Sequence, residues 1–341
     1  MTAPVIDIHS HFFPESWPDL DERFGGEPWP WIKHTGPGKA MIMIGETEFR
    51  PIHDACWSVE RRIEDMDRQG IDHQVICATP VLFAYARPAD QAADVARIFN
   101  DATLEICGRS DGRLLPLCQV PLQDVDRSCE VLSEAMKAGH LGVQIGNHVE
   151  LKNLDDEGMI TFLQHCADEG AAVLIHPWDM MARERMPNYM MGWTVGMPAE
   201  TQLGIVSMIL GGAFDRLPRS LRVCFAHGGG SFAFLLGRLE NAWHHRDIAR
   251  GKSQNPPSHY CDRFSVDTAV FSHEALELLT KVMGPERIML GSDYPFPLGE
   301  QEIGKLVRTA PFLDVGAKEA MLGGNAATWL GLDQTAREAA E

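Results

Sequence analysis

Apolar positions along the chain gather into short continuous runs, separated by stretches whose apolar residues recur with helical period. Val5–Ile8, His73–Ala78, Leu114–Val120, Leu141–Ile145, Ala171–Ile175, Arg222–Ala226, Phe264–Asp267 and Ile288–Leu290 read as strands. Ser58–Gly70, Ala89–Gly108, Asp124–Ala138, Asp155–Gly170, Pro198–Gly212, Ser231–Ala249, Ser272–Met283 and the chain from about Gly299 onward read as helices. Ser58 is a fitting N-cap and Gly70 a fitting stop; an acid opens and a glycine closes the stretch from 155 to 170. Most strand runs are apolar throughout, the pattern of a parallel sheet covered by helices. Eight strand–helix units predict an α/β protein of the (β/α)8 TIM-barrel type, one domain over residues 1–341. A doubly wound open sheet would also alternate, but no G-x-G-x-x-G follows the first strand.

Residues 12–57 break the pattern. Pro14, Pro18, Gly25, Gly26, Pro28, Pro30, Gly36, Pro37 and Gly38 exclude long helices there, and Lys39–Arg50 reads as a hairpin turning at Gly45-Glu46. Trp17, Trp29, Trp31 and Phe49 argue for an ordered insertion subdomain, a lid over the C-terminal mouth of the barrel. The Ala/Glu-rich end after Leu332 reads as a frayed tail, and neither an internal repeat nor a low-complexity tract is evident.

Composition narrows the partners. A formal charge of −18 disfavours nucleic acid and anionic membrane. No apolar run reaches the length of about 18 residues that a spanning helix needs, and MTAPVIDIHSHFF lacks the basic region of a secretory leader. The eight cysteines form no C-x-x-C pair and several sit inside apolar runs, the usage of buried hydrophobes in a reducing cytoplasm.

Chemistry concentrates at strand ends. In a barrel the catalytic groups sit where strands end at the C-terminal mouth. His9 and His11 follow the first strand, His176 the fifth, His227 the sixth and Asp293 the eighth. Two imidazoles one residue apart on a strand share a face, and each brings ring nitrogens that need partners. A single histidine at a strand end is more often structural, but five such groups at one mouth make a set. Three histidines and an aspartate match a zinc-type site of nitrogen and oxygen ligands with an open position, leaving one histidine for proton transfer. The remaining histidines lack this placement.

The H-x-H after strand 1, the histidines after strands 5 and 6 and the aspartate after strand 8 resemble the metal site of the amidohydrolase superfamily. Gly139–His148, Met197–Thr201, His227–Phe234 and Gly291–Glu300 resemble its metal-dependent decarboxylase branch, over nearly the whole chain. Strand 4 ends Val143-Gln144-Ile145-Gly146-Asn147, without the lysine that two-metal hydrolytic members carry, so a single metal is expected. The resemblance implies that His9, His11, His176 and Asp293 bind one Zn2+, replaceable by Co2+ or Fe2+, with no organic cofactor, and that His227 is the general acid/base. It implies non-oxidative decarboxylation of a small dicarboxylate in tryptophan or nitroaromatic catabolism. Arg50 matches a carboxylate-binding arginine, and Arg238 one contributed by the neighbouring subunit of a homodimer. Arg246 resembles its companion, and Trp193 and Phe296 are candidate walls of the pocket, a core role fitting these aromatics equally well. Asp7, two residues before His9, fits an orienting or a structural role equally. Another decarboxylase or hydrolase of a ring-cleavage product or aromatic acid is the second reading. A non-catalytic metal-binding protein is the third, and the spare histidine argues against it.

Overall fold

The computed structural model describes residues 4–332, so the tail after Leu332 lies outside the described residues. Barrel strands are β1 (Ile6–Asp7), β2 (His73–Ala78), β3 (Leu114–Pro116), β4 (Gly142–Gly146), β5 (Ala172–His176), β6 (Arg222–Phe225), β7 (Ser265–Asp267) and β8 (Ile288–Met289). Parallel pairing runs from β1 through β2 to β3 and from β4 through to β8. Two junctions complete the circuit. Cys118 bridges to Val143 between β3 and β4, and Ser10 to Tyr294 between the first and last strands. At the second junction Ile8 N donates to Leu290 O at 2.8 Å, and His11 N to Tyr294 O at 2.7 Å.

Helices cover the strands: α1 (Val59–Gln69), α2 (Ala89–Gly108), α3 (Val125–Ala138), α4 (Glu157–Asp168), α5 (Met197–Leu210), α6 (Phe232–His245) and α7 (His273–Met283), then shorter helices from Lys305. Their starts follow local chemistry. The Ser58, Asp124, Asp156 and Ser272 side chains each accept a hydrogen bond from a first-turn N–H, which satisfies donors that an exposed helix end leaves open. The predicted helix 231–249 stops at His245, because Arg246 turns to extended backbone and a 3-10 turn, Asp247–Arg250, follows. The first strand is interrupted: His11–Phe12 is a separate piece, and both pieces pair with β2. That break brings the H-x-H pair to the mouth.

The insertion is larger than a hairpin. Pro30–Gly36, Lys39–Ile44 and Thr47–His53 form a three-stranded antiparallel sheet, with turns at Pro37-Gly38 and Gly45-Glu46. The first of these strands has an exposed, weakly alternating pattern with a proline at its start, which hides it from a periodicity reading. Trp29, Ala40, Ile42 and Ile52 pack with Phe13, Leu20 and Phe296, which fastens the insertion to the loop after β8.

Candidate metal centre and active site

The five strand-end groups converge. Ring centroids of His9 and His11 are 5.2 Å apart, His9 and His176 5.1 Å, His11 and His176 5.0 Å, and His176 and His227 5.0 Å. Ligand atoms of His9, His176, His227 and Asp293 all lie within 4.8 Å of one another. His11 joins through Asp293, its Nε2 being 2.9 Å from Oδ1. On the same carboxylate, Oδ1 is 3.6 Å from His9 Nε2 while Oδ2 is 3.9 Å from His227 Nε2.

Local backbone makes the convergence possible. His227 and Asp293 both have left-handed φ, +55° and +61°, an uncommon state for residues with a Cβ. The glycines around them permit it. At Gly230 (φ +63°) a Cβ would sit 2.2 Å from the Pro198 carbonyl. At Gly291 a Cβ would come within 2.7 Å of Asp267 Cβ and 2.9 Å of His9 Cβ.

Hydrogen bonds orient the rings toward a common point. His9 Nδ1 faces Asp267 Oδ2 at 2.6 Å, and His176 Nδ1 faces the Pro177 carbonyl at 2.7 Å, so each turns Nε2 inward as an acceptor. Those two Nε2 atoms, His11 Nδ1 and both nitrogens of His227 are buried without hydrogen-bond partners among the described residues. Buried orphan imidazole nitrogens beside a carboxylate fit a divalent cation: the donor set is nitrogen and oxygen, with the second ring nitrogen of two ligands already fixed.

The electrostatics agree. Burial pushes His11 down to about 4 against the opposing pull of Asp293. Burial, with the other histidines adding, holds His176 well below its ordinary range. Burial alone would raise Asp293, but the surrounding imidazoles His11, His227 and His9 hold it well below the usual carboxylate range. Burial would lower His9 as well, but its bond to Asp267 and the carboxylates of Asp267, Asp293 and Asp7 raise it; neutral His11 and His176 beside an ionised Asp293 are the states a bound cation needs.

Arg50 comes from the last strand of the insertion to the same mouth. Its guanidinium lies 4.7 Å from the Phe296 ring centroid and 5.5 Å from that of Trp193, while Phe296 stands 5.2 Å from His11. Burial lowers its pKa, and Asp293 opposes the shift. Arg238 and Arg246, on and just after α6, are exposed and form no recorded contact with this cluster among the described residues. Asp7 touches no imidazole. It accepts from the main-chain N–H of His9 and Ser292, so its part is played through the backbone. The carboxylate that orients His9 is Asp267 at the end of β7, also bonded by Gly228 N at 2.8 Å. An acid closing an apolar strand at the catalytic end was the available signal for it, as it was for Asp293.

A family model described as an amidohydrolase matches residues 6–332. The chain belongs to the amidohydrolase family. It is 43% identical over 331 residues to a 2-amino-3-carboxymuconate-6-semialdehyde decarboxylase of Dictyostelium discoideum, covering 96% of this chain and 92% of that protein. A decarboxylase of the same name from Caenorhabditis elegans is 33% identical, covering 96% and 94%. Among solved structures, a dihydroxybenzoic acid decarboxylase from Polaromonas with bound manganese superposes with a TM-score of 0.78 at 17% identity, over 97% of this chain and 98% of that one. This last likeness is one of fold.

Proposed function

We propose that this chain is a metal-dependent carboxy-lyase that converts 2-amino-3-carboxymuconate 6-semialdehyde to 2-aminomuconate 6-semialdehyde and CO2. One observation carries the proposal: buried, partnerless nitrogens of His9, His176 and His227 surround an ionised Asp293, in a chain 43% identical to a decarboxylase of that substrate.

His9, His11, His176 and Asp293 would hold the cation, Zn2+ by preference with Co2+ or Fe2+ as substitutes. Asp293 Oδ1 already faces two of these imidazoles, 2.9 Å from His11 Nε2 and 3.6 Å from His9 Nε2. When bound, such an ion supplies Lewis-acid chemistry that lowers the pKa of a water towards neutrality. His227 faces the other carboxylate oxygen, and neither of its ring nitrogens has a hydrogen-bond partner among the described residues. That freedom suits a group that exchanges protons. His227 delivers a proton to the carbon bearing the departing carboxylate, the bond to that carboxylate breaks, and its electron pair returns to the conjugated system as CO2 leaves. No organic cofactor enters this scheme.

Arg50 is the carboxylate anchor, with Trp193 and Phe296 as walls of the planar pocket. The subdomain of residues 12–57 closes over the mouth to bring Arg50 there. Bidentate guanidinium pairing gives an anionic substrate a local foothold on a chain of net charge −18. Arg238, exposed one turn after a Phe234 that is 79% exposed, serves the neighbouring site of a homodimer with Arg246 beside it. With eight free cysteines and no helix long and apolar enough to cross a membrane among the described residues, a cytoplasmic setting is the reading.

The test couples two measurements on purified protein: metal per subunit, and loss of near-ultraviolet absorbance of freshly generated 2-amino-3-carboxymuconate semialdehyde with CO2 release. About one metal per chain and enzyme-dependent CO2 release are expected. Decay at the spontaneous rate by metal-loaded protein refutes the substrate assignment and leaves hydroxylated aromatic acids as the alternative.

A further inference from the structure

Arg62, on α1, is fully buried, yet the partners of its guanidinium are all neutral. It donates to Ser10 Oγ at 3.0 Å, to Gln74 Oε1 at 2.7 Å, to the Ala55 carbonyl at 3.1 Å and to the carbonyl of His11, and it lies 5.0 Å from the Tyr294 ring centroid. Asp7 is its counterpart, equally buried and one amide away. Asp7 accepts from Gln74 Nε2 at 2.8 Å, from Ser292 Oγ at 2.6 Å and from the main-chain N–H groups of Ser292 (3.0 Å) and His9 (3.2 Å). Asp7 and Gln74 are register partners between β1 and β2. A guanidinium only donates and a carboxylate accepts here, so the Gln74 amide has one orientation that serves both.

An ion pair split by an amide and sealed from water is poor value for stability. Burying each ion costs several kcal/mol, and apolar side chains of similar volume would do as well or better. What the arrangement achieves is grip. The carboxylate end holds the backbone of His9 and of Ser292, the residue before Asp293. The guanidinium end holds the backbone of His11 and the ring of Tyr294, the residue after Asp293. Each end touches a ligand's main chain or its neighbour, never a ligand's side chain.

We propose that Asp7, Gln74 and Arg62 form a charged relay that fixes the spacing of His9, His11 and Asp293, and through the Ala55 carbonyl ties the base of the insertion to the same frame. These are positioning residues, and the inference rests on reading the five-group cluster as a metal centre. A relay predicts that its two ends communicate although they do not touch, because Gln74 transmits the registration of one to the other.

The experiment measures Zn2+ affinity of the full chain by competition with a chromophoric chelator, alongside thermal unfolding without metal. Gln74→Met removes both amide contacts while keeping bulk. Its dissociation constant for Zn2+ should rise about 10–100-fold, the usual effect of losing support behind the ligands, while the folded spectrum is retained. In a cycle of Asp7→Asn, Arg62→Lys and the double variant, the losses in Zn2+ affinity should be less than additive. Unchanged affinity in Gln74→Met, or independent losses at the two ends, overturns the relay. Failure of every variant to fold even in saturating Zn2+ overturns it too, since that is the mark of general scaffolding. A wild-type chain that binds no Zn2+ overturns the metal reading itself, and is recognisable because no substitution is involved.

Discussion

Asp267→Asn separates ligand orientation from stability. In the native site Oδ1 accepts the N–H of Gly228 at 2.8 Å and of Ala269 at 3.0 Å, while Oδ2 faces His9 Nδ1 at 2.6 Å. An asparagine keeps the shape but not the symmetry of a carboxylate. If its amide oxygen stays on the two backbone N–H groups, its NH2 faces His9 Nδ1, which must then be the acceptor. The ring proton moves to Nε2, the atom turned toward Asp293, and the lone pair a cation needs is lost. If the amide flips, two buried N–H groups face a donor, at about 1–3 kcal/mol for each one left unmade. The first arrangement is cheaper in fold stability and destroys the ligand. Loss of such an orienting partner typically lowers metal affinity about 10–100-fold, or roughly 1.4–2.8 kcal/mol at about 1.4 kcal/mol per decade. Chelator competition on the purified variant reads this directly, and thermal unfolding of the metal-free form should show little change. Affinity within twofold of wild type, in a folded variant, would refute the assignment of Asp267 as the group that sets the His9 tautomer.

Other substitutions separate the remaining roles. His227→Ala should retain metal and abolish turnover; loss of the metal would reassign His227 as a ligand. Arg50→Ala removes the cation stacked 4.7 Å from Phe296 and should raise KM by more than about tenfold, as expected for a lost charge-assisted contact, with metal content unchanged; steady-state kinetics with metal analysis checks both. Burial would raise Asp65, but the Tyr294 hydroxyl at 2.8 Å and the guanidinium groups of Arg61 and Arg68 outweigh it and hold its carboxyl below the ordinary 3.8. Because the folded value is depressed, the stabilisation is present above the unfolded pKa and lost as pH falls through the folded one. Asp65→Asn should therefore lower stability at neutral pH and flatten the acid limb below about pH 4, as denaturant midpoints across pH would register.

Much of this protein is local information. Alternating apolar runs and capped helices fix eight strand–helix units, because burial of a strand on both faces writes a continuous apolar word and a helix start needs a side-chain acceptor. The same logic placed His9, His11, His176, His227 and Asp293 at strand ends, and the folded chain brings all five together. The first strand of the insertion, Pro30–Gly36, was not legible: an exposed edge strand carries little periodicity, and its pairing partner is the signal. Two further matters belonged to the tertiary structure alone. Asp267 and Asp7 are both acids on apolar strands, and nothing local says which one meets an imidazole. Strand stagger decides it, setting Asp267 Oδ2 against His9 Nδ1 while Asp7 lies in register with Gln74. The sequence likewise names Arg62 only as one charge on an amphipathic helix, and its full burial against the carbonyl of His11 exists only once the barrel closes. Chemistry that resides in a residue type can be read along the chain, whereas chemistry that resides in a distance between strands must wait for the fold to set it.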